Sequence, residues 1–350
     1  MSQKGLANVI AGETALCKMG GQSEALYYRG LNACHLAETH SFEAIAFLML
    51  KGHMPSDDEL AVYQSYLVSL SDMPNEVSEA LKHLPSDANA MDVLRTAVSL
   101  LGIYEPELDQ AQGHEIANRL IVLMPRFLAT WRGIEVPADA SIAEAVCLAC
   151  CDEPVSEAYI KAMNQSLILY AEHEFNASTF ASRVTAATLS DIYSAICSAI
   201  GTLRGPLHGG ANEQALYLIN SFNKDDDIEA GIKDKLVKKE KLMGFGHRVY
   251  KTVDPRSQML YKMLEELPSS ELFDVAKEIE RVMMQEKQLI SNVDFYTAVL
   301  YHDMKIDPKR FVAIFVFGRI VGWCAHVLEQ RADNRLIRPL ANYVGPDPID

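Results

Sequence analysis

The sequence predicts a mainly α-helical fold, and three observations carry that expectation. Apolar residues recur at mixed i+3 and i+4 steps through residues 91–101, 114–131 and 311–328. Helix-opening signals stand ahead of the last of these runs and of several other segments, while the alternating pattern of half-buried strands is nearly absent.

Taken in order, residues 1–30 read as irregular or weakly β, punctuated by Gly12, Gly20, Gly21 and Gly30. A helix is expected over 41–50, stopped at Gly52. Ser56 and Glu59 form a capping-box pattern for a helix running to Leu70, and Pro74 with Asn75 marks another start. Ser141 and Glu144 repeat the capping box before 145–151, and a long helix is expected over 156–173. Residues 190–202 are apolar and rich in small side chains, whereas 228–242 and 271–291 read as charged amphipathic helices. Asp307 as cap and Pro308 at the first helical position open the most apolar helix, 311–328, and a polar, proline-containing tail follows.

A chain of 350 residues can bury a substantial core, and its apolar content of 49% with 23% charged residues fits a folded enzyme. The net charge of −15 argues against a general binder of nucleic acid or of anionic membranes. No apolar segment follows a basic start, so no secretory signal is read and the cytoplasm is the expected compartment. The purest apolar run, 311–318, is too short to span a bilayer and ends at Arg319. Seven scattered cysteines suggest no disulfide framework. Cys147, Cys150 and Cys151 share one helical face, but their apolar setting favours core packing over a metal, and no metal is expected.

Two breaks in the helical pattern hold histidines. In Leu-Arg-Gly-Pro-Leu-His-Gly-Gly-Ala-Asn-Glu-Gln (203–214), Gly205 and Pro206 stop one helix and Asn212 to Gln214 open the next. His208 is then expected in or beside that helix's first turn, where the dipole disfavours imidazolium and leaves a neutral hydrogen-bond donor for a developing enolate. A loop histidine packed on glycine is the plainer reading of His-Gly-Gly alone. The second break, Met-Gly-Phe-Gly-His-Arg-Val-Tyr-Lys (243–251), lies in a basic stretch. Residues 233–262 hold nine Lys or Arg against three acids, a net +6 inside an acidic chain. That is a local anion site, although a solvated basic helix would account for 233–241.

Arg319 and His326 are the only charged or imidazole side chains in 311–328, so Arg319 needs a carboxylate from the protein or from a ligand. Asp294 precedes an apolar helix, where capping is the local reading. His173, among Glu172, Glu174 and Asn176, reads locally as a surface histidine balanced by acids.

Five stretches, Gly-Pro-Leu-His-Gly-Gly-Ala-Asn-Glu, Met-Gly-Phe-Gly-His-Arg-Val-Tyr-Lys with Asp-Pro-Arg, Glu-His-Glu-Phe-Asn-Ala-Ser-Thr, Asn-Val-Asp-Phe-Tyr and Asn-Arg-Leu-Ile-Arg-Pro, together resemble the citrate synthase superfamily. The likeness covers nearly the whole chain in the family's order. It leans toward the short bacterial 2-methylcitrate synthases, with ordinary short citrate synthases close behind. The resemblance implies a large helical domain (1–210 and 306–350), a small one (211–305), and an active site in the cleft between them. It also implies a Claisen condensation of an acyl-CoA, propionyl-CoA or acetyl-CoA, with oxaloacetate, followed by thioester hydrolysis and without a metal or redox cofactor.

By the same resemblance Asp294 is the base, His208 the enolate's hydrogen-bond donor, and His247 the group that polarises the ketone. His173, Arg256, Arg319 and Arg338 bind oxaloacetate, with Arg338 supplied across a homodimer interface. Met243, Gly244, Phe245, Gly246, Arg248 and Lys251 bind CoA. Lys251 stands where much of the family has arginine, a point charge in place of a fork. A non-catalytic helical CoA-binding protein is the alternative from another class, and it predicts loss of His208, His247 or Asp294; all three are present.

Overall fold

The computed structural model describes residues 4–6, 9–20, 25–247 and 249–346. It is mainly helical, as the sequence predicts, with sixteen α-helices among the described residues. A small antiparallel meander of β1 (Cys17–Gly20), β2 (Ala25–Tyr28) and β3 (Leu31–Asn32) precedes them. The Tyr28 hydroxyl pins this meander to the helical body by donating to the Ile168 carbonyl over 2.9 Å.

The helices before the first histidine break are α1 (Ala33–Thr39), α2 (Phe42–Lys51), α3 (Asp57–Ser69), α4 (Asn75–Lys82), α5 (Ala90–Tyr104), α6 (Gly113–Trp131), α7 (Ile142–Cys150), α8 (Glu157–Tyr170), α9 (Ala177–Ala187) and α10 (Ile192–Leu203). Beyond it come α11 (Ala211–Ile219), α12 (Ile228–Val237), α13 (Pro255–Glu266), α14 (Glu271–Lys287), α15 (Val293–Asp303) and α16 (Phe311–Ala332). The capping boxes at Ser56 and Ser141 form as the sequence predicts, and Gly52 ends α2 at φ 93°.

Several helix ends differ from expectation. The long helix after Ser156 stops at Tyr170, so His173 stands on the connection to α9. Residues 228–242 yield a helix only to Val237, and α14 ends where Gln288 turns left-handed at φ 53°. The apolar run is also longer than the sequence reading allows. With a 3-10 turn capped by Asp307, it forms a helical stretch Pro308–Ala332, long and apolar enough to cross a membrane by length and composition. Its most apolar window is 83% buried, which is the environment of a core helix.

That helix, α16, packs against α2, α6, α8, α9 and α10, and the backbones come close because glycines flank Arg319. A Cβ on Gly318 would stand 2.8 Å from the Leu167 carbonyl oxygen, and one on Gly322 would stand 2.3 Å from that of Ala171. Helices α11 to α15 pack largely on one another: α11 and α13 on α15, and α12 on α14. They meet the rest of the chain where α11 touches α16 and where α13 touches α1 and α8. Cys147, Cys150 and Cys151 are free thiols buried at α7.

Candidate active site

The two histidine breaks face a common group of side chains. His247 lies half-buried after Gly246, and its Nδ1 accepts the backbone N–H groups of Val249 and Tyr250, both at 3.1 Å. An imidazole nitrogen that accepts two donors carries no proton, so the ring proton resides on Nε2. Nε2 faces the Arg256 Nη2 at 3.5 Å, and a guanidinium has only donors to offer. The pair therefore presents two donors side by side, which suits an oxygen that accepts from both. Tyr250 stacks on the His247 ring at 4.6 Å, and His173 meets it edge-on at 5.2 Å. Burial and then Arg256 push the His247 pKa down to about 4.

Arg256 is 3% exposed and sits in the first turn of α13. Asp254, the cap of that helix, grips it bidentately, with Nε to Oδ1 at 3.0 Å and Nη2 to Oδ2 at 2.8 Å. The same carboxylate takes the Val293 N–H at 3.2 Å, tying the start of α13 to the start of α15.

Asp294 is not the cap of α15; Asn292 is, and its Oδ1 accepts the Asp294 N–H at 3.1 Å. The carboxylate of Asp294 is thereby free to point inward from the first turn. It accepts the Tyr170 hydroxyl at 3.1 Å. Burial pushes its pKa up to about 6, against the lowering influence of Arg256, the Tyr170 hydrogen bond and Arg319. A base at that value is ionised near neutral pH and is a stronger proton acceptor than an exposed aspartate.

His208 lies two residues before Gly210, the cap of α11, but the helix start its ring meets is that of α9. Its Nε2 stands 3.3 Å from the backbone N of Ser178, in the first turn of α9, and 2.8 Å from the Ser178 Oγ. The backbone N–H can only donate, so Nε2 is the acceptor and the ring proton lies on Nδ1. Burial, with Arg319 second, pushes the His208 pKa down to about 4. The neutral ring expected from sequence is present, held by a different helix from the one expected.

His173 is 8% exposed, not a surface histidine, and its Nε2 has no hydrogen-bond partner among the described residues. Desolvation, then Arg256 and Arg319, hold its pKa well below the usual histidine value. Arg319 is 1% exposed and donates from Nε to the Tyr170 carbonyl at 2.6 Å. The internal salt bridge that the sequence left open is not formed among the described residues.

The loop 243–247 is fastened beside Asp294. Gly246 N donates to the Ile290 carbonyl at 2.8 Å, Asn292 N donates to that of Gly244 at 2.9 Å, and Asn292 Nδ2 donates to that of Gly246 at 3.1 Å. Gly244 and Gly246 have φ 88° and 76°, and the Phe245 ring lies 4.7 Å from that of Phe295. Met243 is half-buried on the same loop. Lys251 is exposed and donates to the His247 carbonyl at 3.1 Å. Arg248 lies outside the described residues. Lys233, Lys235 and Lys238 are held by nearby acids at 2.7, 3.3 and 2.6 Å, the solvated basic helix the sequence allowed. Arg338 is exposed on the tail after α16.

Sequence reasoning thus missed Tyr170, Ser178, Asp254 and Asn292. Asn292 and Asp254 carry a local signal, each an Asx residue two positions before the functional one. Tyr170 and Ser178 carry none, because their partners lie 124 and 30 residues away.

The chain matches the family model for the citrate synthase C-terminal domain over residues 5–340. It is 42% identical to a 2-methylcitrate synthase of Shewanella oneidensis over 98% of this chain and 95% of that one. It is 40% identical to citrate synthase 2 of Bacillus subtilis over 98% and 96%. Among solved structures it resembles the Thermoplasma acidophilum citrate synthase in ternary complex with carboxymethyl coenzyme A and oxaloacetate. There the TM-score is 0.89 and the identity 31%, over 99% of this chain and 97% of that one.

Proposed function

The chain belongs to the citrate synthase family of condensing acyltransferases, and from that premise we propose that it is a 2-methylcitrate synthase joining propionyl-CoA to oxaloacetate. The observation that carries the oxaloacetate half is the His247–Arg256 pair, whose Nε2–H and Nη2 donors, 3.5 Å apart, suit the ketone and adjacent carboxylate of a 2-oxo acid. Arg319, and Arg338 from a second subunit, take the remaining carboxylate charge, while His173 closes the same wall. Asp294 removes the proton beside the thioester carbonyl, and the Nδ1–H of His208 donates to the enolate oxygen. The enolate carbon then attacks the ketone carbon as His247 Nε2 protonates the new alkoxide. Water cleaves the thioester last, releasing CoA. None of these steps calls on a metal or redox cofactor.

For CoA, the supporting feature is the loop of Met243, Gly244, Phe245 and Gly246, whose glycines expose backbone next to Asp294, with Arg248 and Lys251 as phosphate partners. The dimer is supported by the tail bearing Arg338, where Leu336, Leu340, Tyr343 and Val344 are 59%, 87%, 71% and 87% exposed. Residues 211–305 would be the small domain that closes on the large one, and the cytoplasm the compartment.

Acetyl-CoA is the second reading, because relatives named for citrate match nearly as well as those named for 2-methylcitrate, at 40% against 42% identity. One methylene in an apolar pocket is worth only about 1 to 3 kcal/mol. The test is thiol release with oxaloacetate, comparing kcat/KM for propionyl-CoA and acetyl-CoA in one buffer. A preference for propionyl-CoA is expected; a preference for acetyl-CoA moves the protein to citrate synthesis, and silence with both sinks the synthase reading.

A further inference from the structure

Arg319 and Glu172 are both sealed from solvent, at 1% and 0% exposed. No carboxylate among the described residues reaches ion-pair distance of Arg319, whose Nε is spent on the Tyr170 carbonyl and whose guanidinium lies 4.6 Å over the Phe315 ring. Glu172 follows that carbonyl by two residues. Its Oε1 meets the His326 Nε2 at 2.8 Å, and its Oε2 has no hydrogen-bond partner among the described residues. A Cβ on Gly322 would stand 2.3 Å from that Oε2, so the carboxylate lies against α16 one turn from Arg319 only because residue 322 is glycine.

The hydrogen bonds fix where the charges are. His326 Nδ1 stands 2.9 Å from the Arg183 Nη1, which can only donate, so Nδ1 is bare and the ring proton on Nε2 goes to Glu172. The imidazole is therefore neutral and does not cancel the carboxylate. Arg183 is in turn matched by Glu329 at 2.6 Å. Along the chain from half-buried Glu329 through Arg183 and His326, the charge left without an opposite partner among the described residues is that of Glu172. That carboxylate lies against α16 one turn from Arg319, on which Glu172 is the foremost influence opposing the effect of burial.

We propose that Glu172 is the built-in counter-ion of Arg319, a positioning residue that screens the buried cation in the empty pocket and that the oxaloacetate dianion must bind against. The proposal rests on Arg319 being an oxaloacetate ligand. Its sign is distinctive. A residue touching substrate loses affinity when neutralised, whereas a competing counter-ion, once neutralised, tightens dianion binding and leaves the empty protein with an unpaired buried cation.

The experiment compares wild type, Glu172→Gln and Glu172→Asp. It reads thermal midpoints with and without saturating oxaloacetate, and KM for each substrate. Glu172→Gln is expected to melt lower when empty and to gain a larger shift from oxaloacetate than wild type does. Its KM for oxaloacetate should fall by on the order of tenfold, while KM for acyl-CoA stays within about twofold. Glu172→Asp, still charged, should stay near wild type. Weaker oxaloacetate binding or an equal shift in Glu172→Gln overturns the proposal, as does a Glu172→Gln protein that fails to fold even with oxaloacetate present. A wild type that shows no shift at all means instead that Arg319 is not an oxaloacetate ligand.

Discussion

The Tyr170 hydroxyl donates to Asp294 Oδ1 over 3.1 Å and meets Thr297 Oγ1 at 2.9 Å. This contact stabilises the ionised carboxylate and so works against the burial that pushes the Asp294 pKa up to about 6. Tyr170→Phe removes it and is expected to move the acidic limb of the kcat–pH profile upward from about 6. Activity at pH 6 should fall by several-fold, with less change at pH 8. An acidic limb that stays in place in the variant counts against Asp294 as the base.

Asp294 also sets a cost in stability. Its folded pKa lies above the ordinary 3.8, so the folded state holds the proton more tightly and loses stability as pH rises from about 4 through about 6. Asp294→Asn removes this half-buried charge. It should abolish turnover and raise stability at pH 8 by on the order of 1 to 3 kcal/mol, with little gain at pH 4. Denaturant melts at the two pH values check this, and a variant less stable than wild type at pH 8 contradicts it.

The histidines bend the curve the other way. His208 and His247 are held near pKa 4, below the ordinary 6.5, so each contributes stability that is fully present above 6.5 and lost as pH falls toward 4. His247→Asn, whose Oδ1 can keep an acceptor for the Val249 and Tyr250 N–H groups in the place of Nδ1, should lessen the acid sensitivity of the thermal midpoint across that window. A midpoint profile parallel to wild type would place the acid sensitivity elsewhere.

Gly244 combines φ 88° with a virtual Cβ 2.7 Å from the Phe295 ring, so alanine there strains the backbone and pushes on α15. Gly244→Ala is expected to raise KM for acyl-CoA at least about tenfold while KM for oxaloacetate changes little. Equal effects on both substrates would mean that the loop serves the fold and not CoA.

The exposed Arg338 offers a test of a shared site. Arg338→Gln and Asp294→Asn should each be nearly inactive as homodimers. When the two are unfolded together and refolded, mixed dimers carry one site with both defects and one site with neither, and activity should reappear. Mixtures that stay silent would place Arg338 outside the partner's site.

The helices were legible where their signals are local. Ser56 with Glu59, Ser141 with Glu144, and Asp307 with Pro308 mark helix starts because a cap is made within three or four residues of itself. Helix α9 was hidden inside the Asn-Ala-Ser-Thr motif although Asn176 caps it by accepting the Thr179 N–H at 3.1 Å. The end of α8 also has no local signal, since nothing in its periodicity sets the stop at Tyr170. Asp294 was read locally as a cap because Asp is common there, while Asn292 two residues earlier holds that place.

By itself, the sequence determined a mainly helical chain, two histidine-bearing breaks, and a buried arginine that must answer to a carboxylate. Composition and near-neighbour spacing encode those features directly. Only the tertiary structure decided which nitrogen of His208 and of His326 carries the proton, which helix faces His208, and which buried acid stands near Arg319. Those outcomes depend on donors and charges brought together from positions 30 to 154 residues apart, as Ser178 is to His208 and Glu172 to His326. In a dry interior such contacts fix charge and tautomer, and no local pattern records them.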